Sequence, residues 1–126
     1  MRYAAVFLAL FPVAAPAQDV AWIEDPAYCA ASIAAWEERE PLVLHRHYMG
    51  NHYMGCDWAP RLPDLEPGQR FTIPRTSCAD NLAVPRARYW TTAIRGRVRQ
   101  DGRIVLWIPG FRPRRVIFSR CPGAPW

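Results

Sequence analysis

The clearest alternation of hydrophobic and polar positions lies toward the C-terminal end of the chain. Over residues 88–99, Trp90, Thr92, Ile94, Gly96 and Val98 alternate with Tyr89, Thr91, Ala93, Arg95, Arg97 and Arg99, which predicts a half-buried strand. Gln100-Asp101-Gly102 follows, and a second strand is expected over 103–108. A two-residue Asp-Gly turn would set the arginines on the same face as Ile104, Leu106 and Ile108. A three-residue loop with Gly102 in the left-handed conformation moves the register by one. Val98 then faces Ile104, Gly96 faces Leu106 and Ile94 faces Ile108. That register separates core from solvent, so it is the expected one. A third strand over about 114–121 completes an antiparallel meander.

Helical spacing occurs once. Asp25 is an N-cap residue, Pro26 suits the first helical position and Pro41 stops the run. Between them Cys29, Ile33 and Trp36 form an apolar stripe at i, i+4 and i+7. Glu37, Glu38 and Glu40 crowd the negative end of this helix's dipole, where acids are unfavourable. Arginines of the second half of the chain would offset them, or a basic partner would dock there. Pro60, Pro63 and Pro67 mark 57–68 as an irregular loop. Residues 69–73 read as a short strand with Phe71 and Ile73 inward, and 76–85 as a second loop around Cys78. The segment Pro67-Gly68-Gln69-Arg70-Phe71-Thr72-Ile73-Pro74 resembles the closing strand of a LysM glycan-binding repeat over eight residues, without that repeat's opening strand and helices. The expected fold is α+β: one N-terminal helix with a small antiparallel sheet, a meander or small barrel, stabilised by disulfides.

Length, at 126 residues, predicts one domain. Met1-Arg2-Tyr3, an apolar run over 4–13 and Ala15-Pro16-Ala17 have the form of a cleaved export signal over 1–17. The mature chain is then 18–126, a single small α+β domain in the periplasm or secreted. No apolar run reaches the ~18–20 residues of a membrane span. Cys29, Cys56, Cys78 and Cys121 are an even set in an oxidising compartment, so two disulfides are expected. Of the three possible pairings, chain order favours Cys29–Cys56 with Cys78–Cys121. No C-x-x-C pair is present to suggest a zinc cluster.

Charge divides the chain. Residues 18–60 carry two arginines and seven acids; residues 61–126 carry thirteen arginines and four acids. Every one of the 16 basic residues is arginine, a bias that a GC-rich genome also produces. On the preferred register Arg95, Arg97, Arg99 and Arg103 share the outward face with Tyr89, Val105 and Trp107, and Arg112, Arg114 and Arg115 extend the charge. Guanidinium pairs with phosphate or carboxylate, and an exposed aromatic stacks on sugar or base. The expected role is therefore a non-catalytic, exported binding or accessory protein for an anionic envelope polymer or an acidic protein, with no cofactor. The competing reading of this face is a solvated strand surface.

Two other readings follow from the histidines. His47-Tyr48-Met49-Gly50 recurs, after Asn51, as His52-Tyr53-Met54-Gly55. If 42–49 is one strand closed by a Gly50-Asn51 turn, Met49 faces His52 and His47 faces Met54. His47, Met49, His52 and Met54 would then share a side, a soft neutral set that suits copper. Two tyrosines in the core of a plain hairpin explain the same repeat without metal. The remaining alternative is a secreted nuclease-like hydrolase with His45 or His47 as base and arginine on the phosphate. No G-x-S-x-G, H-E-x-x-H or phosphate loop supports an enzyme.

Overall fold

The computed structural model describes residues 21–122. The export signal expected over 1–17 lies outside these residues. Eight antiparallel strands pair in sequence order and close on themselves: β1 (Trp22–Ile23), β2 (Val43–Leu44), β3 (Tyr48–Gly50), β4 (Met54–Asp57), β5 (Arg70–Asp80), β6 (Arg88–Val98), β7 (Ile104–Trp107) and β8 (Arg115–Arg120). Closure comes from β1 pairing with β8, Trp22 opposite Arg120. The α+β expectation is therefore corrected to a closed barrel with one short α-helix, α1 (Ile33–Arg39).

Two local events account for the difference. The stretch expected to be a loop around Cys78 is the second half of β5, which carries on through Pro74 by a register shift between Ile73 and Thr76. A bulge of this kind leaves the proline without a ladder bond to donate, so the strand survives it. The helix expected from Asp25 to Pro41 is broken in two. Asp25 caps only a single 3-10 turn, Pro26–Tyr28, its carboxylate accepting from Ala27 N at 3.0 Å. Ser32 then caps α1, its Oγ accepting from Ala35 N at 3.2 Å. With two N-caps the stripe fails: Trp36 is buried, but Ile33 is 60% exposed.

Inward side chains fill the barrel. Leu44, Met49, Ile94, Ile104, Leu106 and Phe118 are all fully buried there. Eight strands enclose a space just wide enough for such packing. On β6 the inward Gly96 leaves room for Phe71 from the facing strand, whose ring a Cβ would strike. The proline-rich loop 58–69 closes one end, with Trp58 and Leu62 buried and Trp58 Nε1 donating to the Arg46 carbonyl at 2.7 Å. A second, smaller core lies outside the wall. There Trp36 of α1 packs with the outward Ile23 and Val43, against Tyr28, Cys29, Tyr48 and Cys121. The outward positions of the longest strands are polar (Arg70, Thr72, Thr91, Arg95, Arg97), the inverse of a lipid-facing barrel.

Both disulfides form, with a pairing other than the one chain order favoured. Cys56 and Cys78 face each other directly across β4 and β5, with Cα atoms 4.0 Å apart. Cys29 and Cys121 join the outer segment to the end of β8, with Cα atoms 5.5 Å apart. Cys29 lies on the outer wall and Cys56 inside it, which rules out Cys29–Cys56.

Candidate functional site

The β6–β7 hairpin has the expected register: Val98 faces Ile104, Arg97 faces Val105, Gly96 faces Leu106 and Arg95 faces Trp107. Gly102 takes φ +88° in the three-residue loop, with Arg99 N donating to the Arg103 carbonyl at 2.7 Å. Because the side-chain period is two, this register sends the arginines of β6 outward. Flanking strands complete two cross-strand rows. One runs Thr72, Arg95, Trp107, Arg115; the other runs Arg70, Arg97, Val105, Ile117. Neighbours within a row have Cβ atoms about 5 Å apart. Val105 is only 1% exposed although it faces outward, cover that its register partners Arg97 and Ile117 supply with their long side chains.

A groove of about 550 Å³ opens here, lined by Arg70, Thr72, Arg95, Arg97 and Trp107 together with Phe71 and Gly96. Arg70, Arg95, Arg97 and Arg115 are exposed and have no carboxylate partner among the described residues. Arg99 and Arg103 differ. Asp101 Oδ2 lies 2.9 Å from Arg103 Nη2 and 3.5 Å from Arg99 Nη2. The Arg103 backbone N–H and then its guanidinium hold the Asp101 carboxyl below its ordinary range. Tyr89 is 73% exposed but sits six residues along β6 from Arg95, about 20 Å away at the rise of a strand. The structure thus joins Arg95, Arg97 and Trp107, leaves Arg99 and Arg103 compensated at the rim, and separates Tyr89. It sets Arg115, one of the three arginines expected to extend the charge, directly opposite Trp107, and it adds Arg70, which only the register across β5 and β6 brings in.

The His/Met face is not formed. The segment over 42–49 is two strands with a turn at 45–47, and the next hairpin closes with Gly50 opposite Gly55, so Met49 faces Cys56 rather than His52. Met49 is fully buried in the barrel, Met54 packs against the same core, and His47 and His52 are exposed. No group of three or more His, Cys, Asp or Glu side chains among the described residues could hold a metal. Tyr48 joins the outer core and Tyr53 is 39% exposed, so neither tyrosine enters the barrel.

The nuclease constellation is also dispersed. His45 and His52 line a different groove, of about 580 Å³, with Glu37, Glu40 and Tyr48 between α1 and the β2–β3 wall. In a ring of eight strands that wall stands opposite β6 and β7. Arg46, beside His47 in sequence, is engaged with the Leu62 carbonyl and with Asp64, both at 2.7 Å. No ion pair among the described residues joins Glu37, Glu38 or Glu40 to an arginine of the second half; the one pair between the halves there runs the other way, from Arg46 to Asp64.

Burial pushes the His45 imidazole below its ordinary value of 6.5, because the charged ring loses hydration. Its ring stacks on Tyr48 with centroids 5.6 Å apart. The Tyr48 hydroxyl is pushed above 10, first by burial and then by the Glu40 charge. For His45 the sign is definite. The unfolded chain takes up the proton more readily than the folded one, so stability is full above about pH 6.5 and declines as pH falls through the lowered value. Urea midpoints measured at about pH 7.5 and about pH 5.5 should show this decline, and His45→Gln should make it shallower.

No protein-family model, curated protein or solved structure matches the chain.

Proposed function

We propose that this protein is an exported, non-catalytic binding protein that holds an anionic envelope polymer across the outer wall of β5–β8. The observation that carries this reading is the set of Arg70, Arg95, Arg97 and Arg115 around Trp107, exposed and without carboxylate partners among the described residues. Uncompensated arginines that close repel one another, and an external anion relieves that repulsion. Their spacing, about 5 Å across strands and about 7 Å along β6, suits a chain of repeating phosphate or carboxylate groups. Trp107 between Arg95 and Arg115 offers a face for a sugar. Binding is favoured over turnover because His45, His52, Glu37 and Glu40, which share one groove, lie on the opposite wall from these arginines. Two disulfides accord with an oxidising compartment, and the signal-like residues 1–17 with the periplasm as the site of action.

The test is retention on immobilised lipopolysaccharide and on heparin as salt is raised. Each neutralised anion contributes about 0.7–0.9 to the log–log salt slope of nucleic acids, so four arginines on a comparable polyanion give a slope of about −3 to −4. Arg95→Gln/Arg97→Gln should roughly halve that slope while moving stability by no more than ~0.5 kcal/mol per site. A wild-type protein with no salt-sensitive retention on either matrix would end this reading.

A further inference from the structure

The five large hydrophobic residues recorded as exposed among the described residues are not scattered. Leu82 (58%), Val84 (88%), Tyr89 (73%) and Tyr53 (39%) gather at one end of the barrel, and Ile33 lies apart from them on α1. The β5–β6 connection carries Leu82 and Val84, Tyr89 lies at the start of β6, and Tyr53 sits in the adjoining β3–β4 turn, its carbonyl accepting from Asn81 N at 3.0 Å. The tip is held in shape. Asp80 Oδ1 accepts from Leu82 N at 3.0 Å, and the Tyr89 hydroxyl donates to Asn81 Oδ1 at 3.4 Å. The β7–β8 loop stands against its base, with Trp90 Nε1 donating to the Pro109 carbonyl at 2.9 Å and Arg88 reaching the Gly110 carbonyl at 3.3 Å.

Charge on the β5–β6 and β7–β8 side of this end has one sign; acids of the same end, Glu37, Glu38 and Glu40, lie across the β3–β4 turn in the β1–β2 connection, where Asn51 donates to the Glu40 carbonyl at 2.7 Å. Residues 81–89 and 109–114 together hold Arg86, Arg88, Arg112 and Arg114 and no acid. The nearest carboxylate in sequence, Asp80, is 8% exposed and bonded to the tip's own backbone. Val84 and Leu82 project at a hairpin turn and do not line either of the grooves described above. A protruding apolar point flanked by arginine on its β7–β8 side, with tyrosines behind it, matches a bilayer surface: apolar side chains enter the acyl boundary, tyrosines sit at headgroup level, and guanidinium meets phosphate. A soluble polyanion would gain nothing from Leu82 and Val84.

We propose that the β5–β6 tip is a docking site for an anionic lipid surface, with Leu82 and Val84 inserted and Arg86, Arg112 and Arg114 on the phosphates. This site is separate from the β5–β8 wall and does not depend on the polymer reading. The test uses the chain from Gln18, which keeps every strand and both disulfides, with mixed phosphatidylcholine/phosphatidylglycerol vesicles. Wild type should sediment with the vesicles. Leu82→Ser/Val84→Ser should bind them roughly tenfold more weakly, with unchanged heparin retention. In a Val84→Trp variant, tryptophan emission should move to the blue when vesicles are added. Vesicle binding by the double serine variant equal to wild type, or a Val84→Trp emission that vesicles do not move, would overturn the proposal and leave headgroup charge alone as the cause. So would a wild type whose self-association, not its vesicle binding, is lost in the serine variant, since the tip would then meet a second copy.

Discussion

Replacing Cys29 and Cys121 together by serine should cost about 4–5 kcal/mol, the loss expected on the chain-entropy estimate for a loop of 92 residues. Replacing Cys56 and Cys78 should cost about 3 kcal/mol, because that bridge spans only 22 residues. Small domains hold ~5–15 kcal/mol in all, so the first variant stands near the edge of folding. The asymmetry has a structural origin. Cys29–Cys121 ties the outer segment bearing α1 to the end of β8, beside the two-residue strand β1 that closes the ring. Few ladder bonds hold so short a strand, and the bridge constrains what they do not. Urea unfolding of both double variants measures the difference. Non-reducing peptide mapping should join the Cys29 peptide to the Cys121 peptide; a Cys29–Cys56 peptide would contradict the wall arrangement described above.

Gly50→Ala should destabilise by about 2–4 kcal/mol, combining a strained backbone with overpacking. Gly50 has φ +148°, and a Cβ there would land on the backbone of Met54 and Gly55 across the hairpin. Backbone cannot swing aside as a long side chain can. Gly102→Ala provides the comparison. Its φ is +88°, but nothing lies within 4 Å of the added carbon, so only conformational strain of about 1 kcal/mol is expected. Thermal unfolding of the two variants should rank them in that order, and equal shifts would count against the close approach of β3 and β4. The pairing of Gly50 with Gly55 also accounts for the glycine that ends each copy of the His-Tyr-Met-Gly sequence: each lets the other copy's strand come near.

What could be read in the chain follows how local each determinant is. The β6–β7 register was legible because Asp101-Gly102 fixes the loop and the alternation from Trp90 to Ile108 has one consistent solution. The strand ending at Arg120 carries its own apolar alternation, Val116 and Phe118. Trp22–Ile23 and Val43–Leu44 are two residues each, too short for a period to show, yet they close the barrel. Pro74 masks the continuity of β5, since a proline inside a run ordinarily marks its end. Disulfide pairing depends on which side of the wall each cysteine occupies, and that follows from the closed ring rather than from spacing. The arginine site was half legible for the same reason. Arg95, Arg97 and Trp107 belong to one hairpin and Arg115 follows on the next strand as an expected extension, whereas Arg70 joins them only through the β5–β6 ladder, across a long connection.

The walls of the barrel are unlike in charge. Glu37, Glu38 and Glu40 lie on the α1 side, and Arg95 and Arg97 lie four strands away around the ring. Such a molecule is an electric dipole across its width, so a negatively charged surface exerts a torque on it before contact. The arginine wall turns inward and the helix turns away, which removes most of the rotational search from each encounter. This alignment acts over roughly one screening length, about 8 Å at physiological salt. In dilute buffer it reaches further, and the bias in orientation on approach to any negatively charged surface grows with it.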